Sequence, residues 1–134
     1  MSLQYSVTLR NNQLDQIEST TGVSAKLQIR TGATPATCAT AASGTLLAEL
    51  VLPSDWMNAA SAGSKAKLGT WSVAAAAAGT AGHFRVVDSA GTNCHIQGTV
   101  TVTGGGGDMT LDNTNIAVGQ IITTNTFTIN AGNA

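Results

Sequence analysis

The sequence predicts a mainly β fold: an antiparallel β-sandwich, jelly-roll-like or immunoglobulin-like, with one short N-terminal helix. Three observations carry this. Ala25-Lys26-Leu27-Gln28-Ile29-Arg30 alternates strictly between apolar and polar, the pattern of a half-buried strand. Short β-rich runs recur between Gly, Pro, Asn and Asp turn signals, as in sandwiches and barrels. Helical spacing is confined to the start of the chain, so the alternating helices of a parallel α/β sheet are missing.

The elements follow in order. Leu9, Leu14 and Ile17 form an imperfect apolar stripe among Arg10, Asn11, Gln13, Asp15, Gln16 and Glu18, which predicts a helix over about Val7 to Thr20. Gly22 supplies its stop. The period changes from Val23, Ala25 to Arg30 is a strand, and Thr31 to Gly44, rich in Thr, Ala and Gly with Pro35, is a surface loop. Leu46 to Leu52 is the next strand, closed by Pro53-Ser54-Asp55, where Ser54 could cap a single turn near Trp56. Ala59 to Gly63 is a small-residue loop.

Lys65 to Ala75 alternates again, with Lys65 and Lys67 read as the exposed positions. Ala74 to Ala78 is too short to nucleate a helix before Gly79, so an extended or loop conformation is expected. His83 to Asp88 and Asn93 to Val100 flank Ser89-Ala90-Gly91-Thr92 as a hairpin, with Phe84 and Val86 on one face and Arg85 and Val87 on the other. Gly104 to Gly107 is a flexible tip, Asp108 to Leu111 a short strand and Asn113 to Asn115 a turn. Gly119 to Asn130 is the last long strand, with Ile121, Phe127 and Ile129 as core candidates. The domain organisation is residues 1–22 as a helical segment and 23–134 as the β-domain, one compact unit.

Composition narrows the function. The 134 residues include 21 Ala, 20 Thr and 15 Gly but only five aromatics, and charged residues are 10% of the chain. A typical domain carries about 25% charge. Such a surface is weakly repelled from its neighbours, and Thr and Ala suit pleated surfaces in close contact. The net charge of −1 and six scattered basic residues argue against a nucleic-acid partner. No apolar run is long enough to span a membrane, and no signal-peptide pattern opens the chain.

Each chemical constellation meets a structural alternative. Cys38 and Cys94 are 56 residues apart and could pair, although a reducing cytosol keeps thiols free. Together with His83 and His95 they lack the spacing of a zinc site, and Cys38 falls in a distant loop. Cys94 and His95 are adjacent on a strand and so diverge, which disfavours a nucleophile–base pair. Asp88 suits an Asx-turn, and Asp108 and Asp112 read as solvated turn residues rather than paired catalytic carboxylates. Gly104 to Gly107 lacks the helix and Lys of a phosphate loop. Trp56 and Trp71 could stack a sugar, but they suit core or interface anchors better. No catalytic, cofactor or metal residues are expected.

Several stretches together carry a resemblance. They are Leu9-Arg10-Asn11-Asn12-Gln13-Leu14-Asp15-Gln16-Ile17, Leu27-Gln28-Ile29-Arg30-Thr31-Gly32 with Pro35 and Leu46-Leu47-Ala48-Glu49-Leu50, Phe84 to Thr92, and Thr126 to Ala134. The chain resembles small virion structural proteins of tailed bacteriophages, over most of its length. Cys94-His95-Ile96-Gln97-Gly98 departs from the more acidic strand expected there. The resemblance implies a capsid decoration or cement protein, with the major capsid protein as partner, a homotrimer as oligomer and the outer capsid surface as location. A tail or neck component and a glycan-binding module are the alternatives. The interface candidates are Leu9, Arg10, Leu14 and Ile17 on the helix, and Trp56 and Trp71.

Overall fold

A computed structural model describes residues 3–132; residues 1, 2, 133 and 134, including the final Asn133-Ala134 of the resemblance, lie outside the described residues. The elements are α1 (Val7–Thr21), β1 (Lys26–Thr31), β2 (Leu46–Val51), β3 (Ser64–Ala66), β4 (Ser72–Ala74), β5 (Gly79–Val87), β6 (Cys94–Val102), β7 (Met109–Leu111), β8 (Asn115–Ile116) and β9 (Ile121–Asn130). The fold is mainly β with one helix.

The helix has clear ends. Ser6 Oγ accepts from the Leu9 N–H at 3.2 Å, and Gly22, at φ +86°, returns its N–H to the Glu18 carbonyl at 2.9 Å. The strands hydrogen-bond in the order β2-β1-β5-β6-β7-β9-β3, with β4 also on β9 and β8 on β5. This is one curled, mixed sheet where two packed antiparallel sheets were expected. The curl is visible in the core: Phe84 on β5 meets Phe127 on β9 edge-on at 5.3 Å, although β6 and β7 lie between those strands along the sheet.

The β6–β7 pair is parallel, with Val100 opposite Met109 and Val102 opposite Leu111. Parallel neighbours usually need a long crossover. Here the chain doubles back through Gly104-Gly105-Gly106-Gly107. Gly104 and Gly106 hold φ of +87° and +83°, while a Cβ on Gly105 or Gly107 would stand 2.7 and 2.9 Å from Thr101 atoms. Two glycines are thus required by conformation and two by space. The tip is tied down, with Gly107 N–H donating to Thr101 Oγ1 at 3.0 Å.

The predicted strand over Lys65 to Ala75 is two short strands, β3 and β4, broken at Leu68 to Trp71. Ser54 caps no helical turn; Met57 there bridges to Lys67. On β9 the buried isoleucine is Ile122, and Ile121 is 56% exposed. A bulge explains the phase: Thr110 faces Thr126 but Leu111 faces Thr124, so Asn125 is the extra residue and the inward parity changes along the strand.

The core gathers Leu27, Ile29, Leu47, Val86, Val100 and Met109 around four aromatic rings. Trp56 and Trp71 stand 6.0 Å apart and Trp71 and Phe127 5.7 Å, both tilted. Aromatic contacts of this kind add to area burial.

Candidate functional site

The N-terminal helix is fastened to the sheet by polar side chains. Asn11, Asp15 and Glu18, spaced four and three apart, share one helix face. Asn11 Oδ1 accepts from Gly63 N–H at 2.9 Å, Asp15 Oδ1 from Ala60 N–H at 3.0 Å, and Glu18 Oε2 from Trp56 N–H at 3.1 Å and Met57 N–H at 3.3 Å. These loop amides have no strand partner to take their hydrogens, so the helix side chains satisfy them. Arg10 Nε reaches the Ala131 carbonyl at 2.9 Å, tying the far end of the chain to the same helix.

Lys65 completes this junction. Its Nζ lies 2.9 Å from Asp15 Oδ1, 3.0 Å from Glu18 Oε1 and 2.9 Å from the Asn58 carbonyl. Burial by itself lowers the lysine's pKa, but the hydrogen bonds and charges of Asp15 and Glu18 outweigh it and the pKa is raised. Asp15 is held below the usual carboxylate range, first by the Lys65 hydrogen bond and then by the Ala60 amide. The expectation of an exposed Lys65 is therefore corrected: the residue is 2% exposed, because the helix lies over the face of β3 that alternation alone assigns to solvent. Lys67 does reach the rim, donating to the Gly69 carbonyl at 2.8 Å over the Trp71 ring.

The six interface candidates separate. Leu9 is exposed and Arg10 and Ile17 are partly so. Leu14, Trp56 and Trp71 are buried within the chain, and the Trp71 indole N–H is spent on the Leu68 carbonyl at 3.1 Å. Neither tryptophan ring offers a stacking face, which removes the observation that suggested glycan binding. The structure instead exposes Leu3, Tyr5 and Val7 beside Leu9, at the open end of the helical segment.

The second feature is a polar row across the sheet. Register places Glu49, Gln28, Arg85 and Gln97 side by side on β2, β1, β5 and β6. Gln28 Nε2 donates to Glu49 Oε2 at 2.8 Å, Arg85 donates to the carbonyls of Thr40 and Cys38 at 2.9 and 2.8 Å, and Gln97 Nε2 donates to the Pro35 carbonyl at 2.7 Å. The segment between β1 and β2, expected as a plain surface loop, thus covers the sheet's outer face. This is why Gln28 and Arg85 are buried despite their polarity.

That cover moves Cys38. Val87 faces Cys94 across β5 and β6, and a register shift leaves His95 as the extra residue. Cys38 and Cys94 line the same cavity with Ala39, Thr92 and His95, so Cys38 is close to Cys94 where sequence spacing suggested a distant loop. Both thiols are free and half-buried. Burial, first, and then the Cys94 neighbour push the Cys38 thiol's pKa up, against a smaller opposite effect of Arg85. Among the described residues no group of three or more His, Cys, Asp or Glu could hold a metal ion.

The aspartates are bound into turns. Asp88 accepts from Thr92 and Asn93 backbone N–H groups and from the Asn93 amide, and its pKa is lowered mainly by the Thr92 amide. Asp108 Oδ2 accepts from Thr99 N–H and Oγ1, both at 2.9 Å. Asp112 Oδ1 accepts from the N–H groups of Asn113 and Thr123.

The fold and this geometry define a mainly β domain with one docked helix and an exposed apolar N-terminal edge. Comparison with family models, curated proteins and solved structures returns no match. No helix of the described residues is long and apolar enough to cross a membrane.

Proposed function

We propose that this chain is a non-catalytic structural protein of a bacteriophage particle that decorates and stabilises the capsid. The observation that carries the reading is the division of the N-terminal segment. Asn11, Asp15 and Glu18 fasten it to its own β-domain, while Leu3, Val7 and Leu9 are turned outward. Apolar side chains held on a fixed support suit a docking edge. A lattice repeats such a contact many times, so each copy can bind modestly. Low surface charge and the resemblance to tailed-phage virion proteins support the same assignment. The partner is the major capsid protein, at the outer capsid surface, and a trimer suits a local threefold position.

A tail or neck component would share these features, and copy number separates the two. Quantitative mass spectrometry of purified particles is expected to give hundreds of copies. A count of about a dozen fits a neck ring and transfers the assignment there. A particle without the chain overturns both.

A further inference from the structure

Two thiols far apart in sequence meet on one side of the sheet, and neither has a role in the proposed docking edge. Arg85 Nη2 holds the Cys38 carbonyl at 2.8 Å, fixing the covering loop over β5. Register sets Cys94 beside Val87, on the face that Arg85 also occupies. The two cysteines line one cavity, and burial together with the Cys94 neighbour pushes the Cys38 thiol's pKa up. Cys94 Sγ lies 3.2 Å from the Ile96 carbonyl and donates to it, which fixes the thiol at that cavity. Both residues are half-buried, so a small reagent reaches them.

We infer that Cys38 and Cys94 form an intramolecular disulfide when the folded protein meets an oxidising environment, clamping the covering loop onto β6. The co-reactant is a small-molecule disulfide such as oxidised glutathione. One cysteine thiolate attacks the reagent, forming a mixed disulfide and expelling one thiolate. The second cysteine then attacks the mixed disulfide and expels the other. Two protein thiols become one disulfide and the reagent becomes two thiols, so electrons and protons balance. In a reducing cytosol the pair stays open, and it closes after release into an oxidising medium. The raised pKa of Cys38 makes closure faster as pH rises. The inference is independent of any capsid.

The test incubates the native, full chain with oxidised glutathione. The expected product carries no covalent link between chains, is about 2 Da lighter per chain, and yields a linked Cys38–Cys94 peptide. Its Tm is higher by about 10 °C, because the bridge closes a long loop, and dithiothreitol reverses the rise. Cys38→Ser and Cys94→Ser each take up one glutathione with no such rise. Wild-type protein that keeps two separate glutathione adducts, links only between chains, or is bridged with no gain in Tm overturns the inference. The wild-type readouts decide the matter even if a serine variant fails to fold.

Discussion

Lys65 Nζ lies 2.9 Å from Asp15 Oδ1, and this contact joins the only helix of the described residues to the edge of the sheet. The lysine side chain is 2% exposed while that of Asp15 is 46% exposed, so the pair is one-sided: the cation is buried and the anion still meets water. Glu18, also paired with Lys65, holds the Trp56 and Met57 amides with its other oxygen. Helix, β3 and the loop before β3 therefore share one charge cluster.

Lys65→Met tests that cluster. The substitution keeps the buried stem and leaves Asp15 and Glu18 facing each other without a cation. A loss of about 2–3 kcal/mol is expected, below the range for a fully buried pair because Asp15 is solvated. Urea unfolding measures it. Asp15→Asn in the Lys65→Met background should recover part of the loss, since the repulsion goes.

The same junction sets a pH profile. Asp15's pKa is lowered in the folded state, so its contribution is present above the unfolded carboxylate value of about 3.9 and lost as pH falls through the lower folded value. Lys65's pKa is raised, so its contribution is complete below about 10.4 and lost as pH rises through the higher folded value. Thermal unfolding across pH should show both edges in the wild type. In Lys65→Met the alkaline edge weakens and the acid edge becomes shallower.

Gly82→Ala probes the covering loop. A Cβ there would stand 2.3 Å from the Gly32 carbonyl oxygen, a backbone atom that has no rotamer by which to move away. His83 Nδ1 holds the same carbonyl at 3.0 Å. The loop must lift for the methyl to fit, and a cost of about 2 kcal/mol or more is expected in Tm-derived stability. Faster hydrogen exchange over the loop should accompany it.

Leu3→Ser combined with Val7→Ser addresses the docking edge. Both side chains are exposed, so stability should change by less than about 0.5 kcal/mol. Binding to capsid shells should fall at least about tenfold, the equivalent of roughly 1.4 kcal/mol. Sedimentation of labelled protein with shells reads the difference.

Much of the local structure was legible in the sequence because local rules produce it. Gly22 stops the helix, and Asp88 with Gly91 turns the β5–β6 hairpin, by interactions within a few residues. What alternation could not show was which faces are covered from elsewhere. Lys65 and Gln28 both occupy positions that alternation gives to solvent, and both are buried by segments distant in sequence. The helix's apolar stripe places Leu14 and Ile17 toward the core, but nothing in that stripe marks Asn11, Asp15 and Glu18 as the polar part of the docking face. The inward phase of β9 was missed at Ile121 because one bulge at Asn125 shifts parity. The parallel β6–β7 pair depends on a four-glycine return that composition alone marks only as a loop. The nearness of Cys38 to Cys94 rests on Arg85 gripping the covering loop, a contact across 47 residues.

Electron cryo-microscopy of the intact particle tests the central claim most directly. The account predicts density for this fold on the outer surface of the head, with Leu3, Val7 and Leu9 against the major capsid protein. A map whose shell carries no density for the chain would contradict it.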